Sequence, residues 1–416
     1  MPAPDTALAE RLFGTLRERS RDTPGVTRPS YGPGEQMAHD LVRGEAEALG
    51  LEVAVDAAGN LYATMPGRDR QAPAFVVGSH LDTVPHGGNY DGAAGVVAGL
   101  SALAGLRRAG VTPPRDVTVM GIRAEESTWF NASYIGSRAA LGLLAPEELD
   151  TVRRSDTGRS LGEHLAEAGF DPAAIARGAA HLDPARVHGF IEVHIEQGPI
   201  LVERGIPAAV VTGIRGAFRY REARAIGQWA HSGAVPRAHR RDAVVAVSEF
   251  VAALDAAWGD LEAGGHDLVV TVGQLFTDPR LHAFSKVPGE VRFCIDARSL
   301  STATLDTVRE TVHRLAAEIG DRRRVRFELG PITGTRPAVL DAGLRGRLAD
   351  AAGRLGIPTI EMASGAGHDA VTFANAGIPT AMLFIRNRGG SHNPEEAMDL
   401  ADFERAASIL AAVLAG

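Results

Sequence analysis

Short apolar runs separated by helical patterns mark the first part of the chain. Residues 75–77 and 117–122 are apolar runs of the kind that buried parallel strands show, and the small-residue stretch 92–106 between them predicts a helix. Residues 51–55 and 61–65 alternate apolar and polar positions, which is typical of half-buried strands. This order of strands and helices predicts an α/β unit.

The stretch 190–198 predicts a longer strand with strict alternation. Positions 191, 193 and 195 are isoleucine or valine, whereas His194 and two glutamates occupy the opposite face. A helix is predicted at 34–49, and Ser160 is a candidate N-cap for a helix at 161–168. The polar face of this long strand is therefore a candidate position for functional residues.

A second pattern begins near Gly213 and interrupts the first. It predicts a strand–helix–strand–strand–helix–strand order, which is the ferredoxin-like split βαβ arrangement. The predicted strands cover 218–226, 268–276, 291–297 and 325–329, and the predicted helices cover 242–258 and 305–319. The chain then returns to βα units, with helices at 340–355 and from 369, and strands at 358–362 and 379–385. We therefore expect an outer domain in two parts, 1–212 and 331–416, around an inserted domain at 213–330.

The composition bounds the class of protein. With 416 residues, 45% hydrophobic and 23% charged, the chain is typical of a globular protein with more than one domain. No apolar run approaches the roughly 18 residues of a membrane span, and the N-terminal residues do not resemble a secretory signal. A net charge of −8 without a basic patch disfavours nucleic acid as a partner. The lone Cys294 fits a reducing cytoplasm and excludes thiolate-rich metal sites.

Polar side chains follow several of the predicted buried strands. They are His80, Asp91, Glu125, Glu126, His194 and His392. Open α/β sheets bind ligands beyond the carboxyl ends of their strands, so we expect these groups to meet. Imidazole and carboxylate ligands without thiolate suit Zn, Mn, Co or Ni better than Ca or Mg. The set is sufficient for two metals that share one carboxylate, with one glutamate left over as a general base.

Six motifs carry a resemblance to a known family. They are Gly78-Ser-His-Leu-Asp-Thr-Val, Asn89-Tyr-Asp-Gly-Ala, Glu125-Glu126, His194-Ile-Glu-Gln-Gly, Gly365-Ala-Gly-His-Asp-Ala and Gly389-Gly-Ser-His392. In this order, over nearly the whole chain, they resemble the two-metal amidases of the M20 peptidase clan, and within it the hydantoinase/carbamoylase branch. That branch holds N-carbamoyl-L-amino acid hydrolases, allantoate amidohydrolases and β-ureidopropionases. His194 favours the branch, because other members of the clan usually have a carboxylate there, and so does Gln197.

The resemblance implies a role for each residue of the cluster. One metal would be held by His80 and His194 and the second by Glu126 and His392, with Asp91 bridging the two. Glu125 would take a proton from the metal-activated water and pass it to the leaving nitrogen. Asp82, which lies two residues after His80, would orient that ligand.

The resemblance also implies substrate contacts. The expected substrate-binding residues are Gln197, His231, Ser285, Arg298 and Gly365. Arg298 would pair its planar guanidinium with a free carboxylate. His231 would reach from the inserted domain into the site of a partner subunit and stabilise the oxyanion. The implied architecture is a mixed-sheet, zinc-peptidase-like catalytic domain, interrupted by an inserted ferredoxin-like lid and dimerisation domain.

Two positions depart from the branch. Ser285 stands where the branch usually has asparagine, and Ser127-Thr-Trp129-Phe130 replaces a segment that is commonly Gly-Ser-Arg-Phe-like. Both positions lie near the expected substrate pocket and leave the metal ligands intact. They leave the identity of the substrate undetermined and are compatible with a bulkier or less polar acyl group than carbamoyl.

We therefore expect a cytoplasmic, homodimeric, two-metal hydrolase that cleaves the linear C–N bond of an N-carbamoyl or ureido amino acid. Hydrolysis of another N-acyl amino acid or small amide is the alternative chemistry. A ligand-binding relative without turnover is disfavoured because the base and all predicted ligands are retained. A nucleotide-dependent oxidoreductase is disfavoured because no Gly-x-Gly-x-x-Gly follows a strand. Two points stay open: Arg298 fits an ordinary exposed ion pair as well as a substrate contact, and His368 fits either packing or support of a ligand.

Overall fold

The computed structural model describes residues 2–416. The chain divides into two units: the first contains the residues up to Thr212 together with Val339–Gly416, and the second is Gly213–Ala338. The second unit ends at Ala338 and not at residue 330, because the strand Ile332–Thr335 pairs with the strand Gly216–Ile226 of the same unit. Within the described residues, no helix is long and apolar enough to cross a membrane.

The helices and strands are numbered in chain order. The α-helices are α1 Thr6–Arg19, α2 Pro33–Ala48, α3 Ala93–Arg108, α4 Ser127–Phe130, α5 Ile135–Ala140, α6 Glu148–Thr151, α7 Leu161–Glu167, α8 Pro172–Ala176, α9 Ile200–Arg204, α10 Ala243–Ala263, α11 Thr302–Arg323, α12 Ala342–Leu355, α13 Ala370–Asn375 and α14 Leu400–Ala415. The strands are β1 Arg21–Asp22, β2 Gly25–Val26, β3 Glu52–Val55, β4 Leu61–Met65, β5 Ala74–His80, β6 Val117–Ile122, β7 Val187–Ile195, β8 Ala208–Ile214, β9 Gly216–Ile226, β10 Ala230–His231, β11 Val269–Thr271, β12 Leu275–Phe276, β13 Lys286–Val287, β14 Glu290–Ser299, β15 Arg326–Glu328, β16 Ile332–Thr335, β17 Ala338–Val339, β18 Thr359–Ser364, β19 Thr380–Ile385, β20 Asn387–Arg388 and β21 Ala397–Met398.

The main sheet has the strand order β17-β8-β19-β7-β5-β6-β4-β3, with β18 also paired to β8. Its central strands β19, β7, β5 and β6 are parallel, whereas β4, β3 and β8 run antiparallel to their neighbours. The mixed α/β class predicted from the sequence is therefore confirmed. The four parallel strands end at one edge of the sheet, which is where a fold of this kind presents ligand-binding groups.

The helix α3 packs closely on the centre of this sheet. Every residue from Ala93 to Leu106 is buried, which explains why the stretch contains only small and apolar side chains. A Cβ on Gly95 would lie 2.1 Å from the carbonyl oxygen of Val193 in β7, so glycine is required for this approach. The N-terminus of α3 is thereby fixed next to the carboxyl end of β7.

The C-terminal helix α14 completes the core of the first unit. Its residues Phe403, Leu410 and Val413 belong to the same hydrophobic cluster as α3, and α14 packs against both α3 and α12. The sequence analysis assigned neither α14 nor the strand β8. The strand β8 is a short apolar run, and α14 is a longer helix whose charged residues lie only in its first two turns, whereas residues 409–414 are all buried.

The second unit has its own sheet, with the order β11-β14-β9-β15 and two further strands, β12 and β16, paired to β14 and β9. The helices α10 and α11 cover one face, where Phe250, Val312 and Phe293 share a hydrophobic core. Asp242 and Ser301 cap these helices through their side chains. The predicted strand 268–276 is broken into β11 and β12, because residues 272–274 leave the ladder.

Candidate metal centre

The carboxyl ends of neighbouring parallel strands bring the predicted ligands together. The strand β5 ends at His80, β6 leads into Glu125 and Glu126, β7 carries His194 next to its last position, and β19 leads to the loop that holds His392. The predicted strand at 190–198 ends at Ile195, so the residues after it are free to turn across the edge of the sheet. The meeting point expected from the sequence is present.

Asp91 lies at the centre of this cluster. Its Oδ1 atom is 3.0 Å from Nε2 of His194 and 3.4 Å from Nε2 of His80. Its Oδ2 atom is 3.5 Å from Nε2 of His392. One carboxylate therefore presents its two oxygens to different histidines, which is the arrangement of a bridging ligand.

Gly92 allows Asp91 to approach so closely. This residue is the N-cap of α3, with a φ of +65°, and a Cβ there would lie 2.5 Å from the imidazole ring of His80. Only glycine combines this backbone conformation with the close contact. The loop between β5 and α3 is thus built to place a carboxylate against an imidazole.

The two buried histidines direct their Nε2 atoms to Asp91. Nδ1 of His80 lies 3.1 Å from the carbonyl oxygen of Asp82, and Nδ1 of His194 lies 2.9 Å from that of Ile195. A carbonyl oxygen only accepts, so each Nδ1 carries a proton, and the neutral form of each ring would keep the lone pair of Nε2 available. This is the tautomer that Nε2 ligation of a metal requires.

Glu126 and His392 form the other half of the cluster. Oε1 of Glu126 lies 3.2 Å from Nε2 of His392, and ligand atoms of both lie within 4.8 Å of Asp91. The side chain of His392 is 52% exposed, whereas those of Glu126 and Asp91 are buried. This half of the cluster is therefore the one that a small molecule reaches from solvent.

Asp82 supports both halves. Its Oδ1 accepts a hydrogen bond from the backbone N–H of Glu125 at 3.1 Å and lies 3.4 Å from Nδ1 of His80. Its Oδ2 accepts from the backbone N–H of Glu126 at 3.2 Å and from the hydroxyl of Ser30 at 2.6 Å. One buried carboxylate thus fixes a predicted ligand together with the backbone of the glutamate pair.

Burial opposes ionisation of the carboxylates in the cluster. Burial raises the pKa of Glu125 well above its ordinary value and also raises the pKa of Glu126. The hydrogen bond to Glu126 raises the pKa of His392 to about 9. Burial opposes ionisation of Asp91, but the adjacent imidazoles hold its pKa well below the ordinary value. Several buried carboxylates in one place require a positive partner.

The residues fit divalent metal ions. Oδ1 of Asp91 is buried and has no hydrogen bond, although two imidazole nitrogens surround it. A buried carboxylate oxygen without a hydrogen-bond donor is costly, and a cation would supply the missing partner. Imidazole and carboxylate donors suit Zn, Mn, Co or Ni, as predicted from the sequence.

Glu192 and His368 lie behind His194. Ligand atoms of the three lie within 4.8 Å of one another, but Oε2 of Glu192 already accepts the backbone N–H of Ala370 at 2.8 Å. The ring of His368 packs edge-on against that of His194, with centroids 4.5 Å apart. Both alternatives left open for His368 fit this contact, because the ring that it packs against belongs to a predicted ligand. Glu192 was not among the predicted site residues, although it shares a strand face with His194.

Gln197 and Gly365 were both predicted to bind substrate. Nε2 of Gln197 donates a hydrogen bond of 2.8 Å to Oδ2 of Asp91, so this amide lies at the cluster. Gly365 is exposed in the loop between β18 and α13. Gln197 therefore touches a predicted ligand.

Trp129 packs into the protein instead of facing an open pocket. Its indole N–H donates to the carbonyl oxygen of Thr83 at 2.7 Å, and the guanidinium of Arg154 lies 5.3 Å from the ring centroid. The residue is only 8% exposed and belongs to a small hydrophobic cluster with Phe130. The ring of Trp129 is therefore used for packing, and its burial gives no support to the bulkier acyl group that the sequence left open.

His231 and Ser285 lie side by side in the second unit. The strand that contains His231 pairs with the strand that follows Ser285, and the backbone N–H of Ser232 donates to the carbonyl oxygen of Ser285 at 2.9 Å. Nδ1 of His231 accepts from the backbone N–H groups of Gly233 and Ala234, both at 3.1 Å. The proton of the neutral ring is therefore on Nε2, and the side chain is exposed.

Arg298 forms an ion pair with a neighbour on its own strand. Its Nη2 lies 2.9 Å from Oδ2 of Asp296, which also lies 3.0 Å from Nε of Arg219. Burial opposes ionisation of Asp296, but these arginines hold its pKa below the ordinary value. The ion pair that the sequence left open is present, and it leaves the guanidinium about one-third exposed.

The sequence analysis missed Glu396. This residue is 5% exposed, and its Oε1 accepts the backbone N–H groups of Tyr90 at 2.7 Å and of Asp91 at 3.2 Å. Burial raises the pKa of Glu396 to about 7, and the negative charge of Asp91 adds to this effect. The only sequence signal is a carboxylate in the Gly/Asn/Pro-rich loop that follows His392.

The cluster of imidazole and carboxylate groups at the sheet edge has the donor set of a divalent-metal centre. A family profile described as Peptidase family M20/M25/M40 matches residues 76–416. The chain belongs to this family, as its motifs predicted. An N-carbamoyl-L-amino acid amidohydrolase from Geobacillus stearothermophilus is 35% identical over 393 residues, 93% of each chain.

Two further comparisons agree with this assignment. An N-carbamoyl-L-amino-acid amidohydrolase from Paenarthrobacter aurescens is 34% identical over 412 residues, 98% of each chain. A solved structure of an amidase of the hydantoinase/carbamoylase family from Burkholderia multivorans is 29% identical, with a TM-score of 0.89, and the match covers 99% of this chain and 98% of that one. The predicted resemblance to the hydantoinase/carbamoylase branch is thus confirmed.

Proposed function

We propose that the protein hydrolyses the linear C–N bond of an N-carbamoyl amino acid that carries a free carboxylate, at a centre of two divalent metal ions. The observation that carries the proposal is Asp91, whose two oxygens face different histidines at 3.0 Å and 3.5 Å. The two most similar relatives reported above are both named N-carbamoyl-L-amino acid amidohydrolases, which supports this substrate class.

Each predicted ligand would hold a metal through an atom that the fold already directs inward. His80 and His194 would bind one ion through Nε2, Glu126 and His392 would bind the other, and Asp91 would contribute one oxygen to each. When bound, such ions lower the pKa of water and polarise the substrate carbonyl. The donor set is compatible with Zn, Mn, Co or Ni.

Glu125 would act as the general base. Its side chain is buried next to Glu126, and its backbone is held by Asp82 at 3.1 Å. Burial raises the pKa of Glu125, which makes its carboxylate a stronger proton acceptor. It would take a proton from the attacking water and deliver it to the leaving amino-acid nitrogen. Hydrolysis would release the amino acid and carbamate, which decomposes to carbon dioxide and ammonia.

The second unit would supply the substrate contacts. Nε2 of His231 carries a proton and is exposed, as an oxyanion donor requires. The partly exposed guanidinium of Arg298 would pair with the substrate carboxylate, and the hydroxyl of Ser285, next to His231, would add a polar contact. Gln197 and Gly365 would contact the substrate from the first unit.

The strand order of the second unit supports a role as a ferredoxin-like lid. Numbered by their place in the βαββαβ order, its four main strands are arranged 2-3-1-4 in the sheet, with α10 and α11 on one face. In the proposed homodimer, His231 of one lid would complete the site of the other subunit. The lone free cysteine, Cys294, is compatible with a place in the cytoplasm.

A substrate panel that scores ammonia and free amino acid separately tests this function. Metal-reconstituted protein should release both products in equal amounts from N-carbamoyl amino acids. Release of amino acid without ammonia from N-acetyl or N-formyl amino acids, with no activity on carbamoyl substrates, would replace the proposal by the N-acyl alternative that Ser285 leaves open. The enantiomers of each substrate should be tested in parallel.

A further inference from the structure

Two loops that lie far apart in the sequence carry Asp91 and His392, and Glu396 lies between them. Oε1 of Glu396 accepts the backbone N–H groups of Tyr90 and Asp91 at 2.7 Å and 3.2 Å. Its Oε2 accepts the hydroxyl of Ser391, the residue before His392, at 2.8 Å. The same hydroxyl is also in hydrogen-bonding contact with Oδ2 of Asp91.

The packing around Glu396 leaves little room for adjustment. A Cβ on Gly88 would lie 2.0 Å from Cδ of Glu396, so the carboxylate rests directly on the backbone of the Asp91 loop. The glutamate side chain is 5% exposed. Its position is therefore determined by the two loops and cannot be taken over by water.

The loop that carries His392 does not need Glu396 for its own closure. The strands β20 and β21 pair at its base, and the side chain of Asn393 donates to the carbonyl oxygens of Gly389 and Ser391 at 2.7 Å and 3.0 Å. The contacts of Glu396 with Tyr90 and Asp91 instead join this closed loop to the other one. A residue that served only to fold its own loop would not need these contacts.

We propose that Glu396 is a positioning residue that sets the distance between Asp91 and His392, and so prepares the second half of the metal centre. This inference rests on the proposed function, since it assumes that Asp91 and His392 bind metal. Hydrogen-bonding partners of metal ligands typically change metal affinity about 10- to 100-fold when they are removed. The effect of Glu396 should accordingly fall on the site that contains His392.

Three substitutions of Glu396 separate positioning from simple packing. Glu396→Ala removes every acceptor, and Glu396→Asp shortens the side chain so that it cannot reach both loops. Glu396→Gln keeps an oxygen for the two backbone N–H groups, and its amide N–H can donate to Ser391. We expect the alanine and aspartate variants to lose metal affinity and the glutamine variant to recover most of it.

Asp56 provides a matched control. Its carboxylate also accepts two backbone N–H groups, those of Ala58 and Asn60 at 2.9 Å and 3.0 Å, and one hydroxyl, that of Tyr62 at 2.8 Å. It contacts none of the predicted metal ligands. Asp56→Ala therefore reports what the loss of a comparable loop-fixing carboxylate does to stability alone.

The experiment is a calorimetric titration of metal-free wild type and variants with Mn²⁺, together with thermal unfolding with and without the metal. We expect one of the two binding steps to lose about 10- to 100-fold in affinity in Glu396→Ala, and the metal-induced rise in Tm to shrink. Asp56→Ala should lower the Tm of the metal-free protein without changing either affinity.

The outcomes distinguish this inference from the proposed function. If wild type binds two ions and Glu396→Ala binds them with unchanged affinity, the positioning role is overturned. Equal losses of affinity in Glu396→Ala and Asp56→Ala, or no recovery in Glu396→Gln, would also overturn it, because stability alone would then explain the result. Failure of wild type to bind metal would overturn the proposed function itself, and this inference with it.

Discussion

The backbone N–H of Glu125 donates a hydrogen bond of 3.1 Å to Oδ1 of Asp82. The same oxygen lies 3.4 Å from Nδ1 of His80. A single buried atom thus holds both the backbone of the proposed base and a proposed metal ligand. The glutamate pair lies just beyond the end of β6, at the sheet edge where β5 also ends.

Replacing Glu125 by glutamine should separate catalysis from metal binding. Glu125→Gln keeps the size of the side chain and the backbone hydrogen bond to Asp82, but removes the proton acceptor. We expect kcat to fall by about 10²- to 10⁴-fold or more, with metal content unchanged. Turnover and metal content measured on the same preparation check this, with the exposed Glu163→Gln as a control that should leave both unchanged. A near-normal rate in Glu125→Gln would exclude this residue as the base.

Replacing Arg298 by lysine should affect only substrates with a carboxylate. Lysine keeps the charge but loses the planar fork that binds a carboxylate through two hydrogen bonds. We expect the KM for an N-carbamoyl amino acid to rise about tenfold or more. The KM for the same N-carbamoyl compound with its carboxylate replaced by an amide should change little. Arg292→Lys is the matched control, since Arg292 lies on the same strand and forms an ion pair with Glu290 at 3.1 Å. Equal effects on both substrates would show that Arg298 is structural.

Mixing two inactive variants should reveal whether subunits share sites. In a heterodimer of His231→Ala and Glu125→Gln, one site would keep its own Glu125 and receive an intact His231 from the other subunit. Random exchange should therefore restore up to about a quarter of wild-type activity. Glu125→Gln mixed with Asp91→Asn should restore nothing, because both residues belong to the same cluster. If the first mixture stays inactive after exchange, His231 does not act across the dimer.

The predicted ligands lie together in the structure because local strand patterns determine where each of them is placed. His80, Glu126 and His194 each follow or end an apolar run, and parallel strands present their carboxyl ends at one edge. The alternation in β7 likewise placed His194 on the opposite face from its apolar neighbours. These features depend on short-range patterns that a single sequence contains.

The features that the sequence did not reveal depend on long-range contacts. Glu396 looks like an ordinary loop carboxylate until the fold brings it to the backbone of Tyr90. The strand β16 extends the second unit to Ala338, which its weak apolar pattern did not indicate. Trp129 was expected near the substrate, but its side chain is buried, with a hydrogen bond to the carbonyl oxygen of Thr83 and an arginine next to its ring. Such partners cannot be inferred from spacing along the chain.

Titration of metal-free protein with a divalent ion, with turnover of an N-carbamoyl amino acid followed at each addition, tests the paired centre most directly. We predict that wild type binds two ions per chain and reaches full turnover only after the second. In Asp91→Asn we predict tight binding of at most one ion and loss of turnover, because a single carbonyl oxygen cannot serve both halves. Full turnover with one ion per chain, or two tightly bound ions and normal turnover in Asp91→Asn, would contradict the bridging role of Asp91.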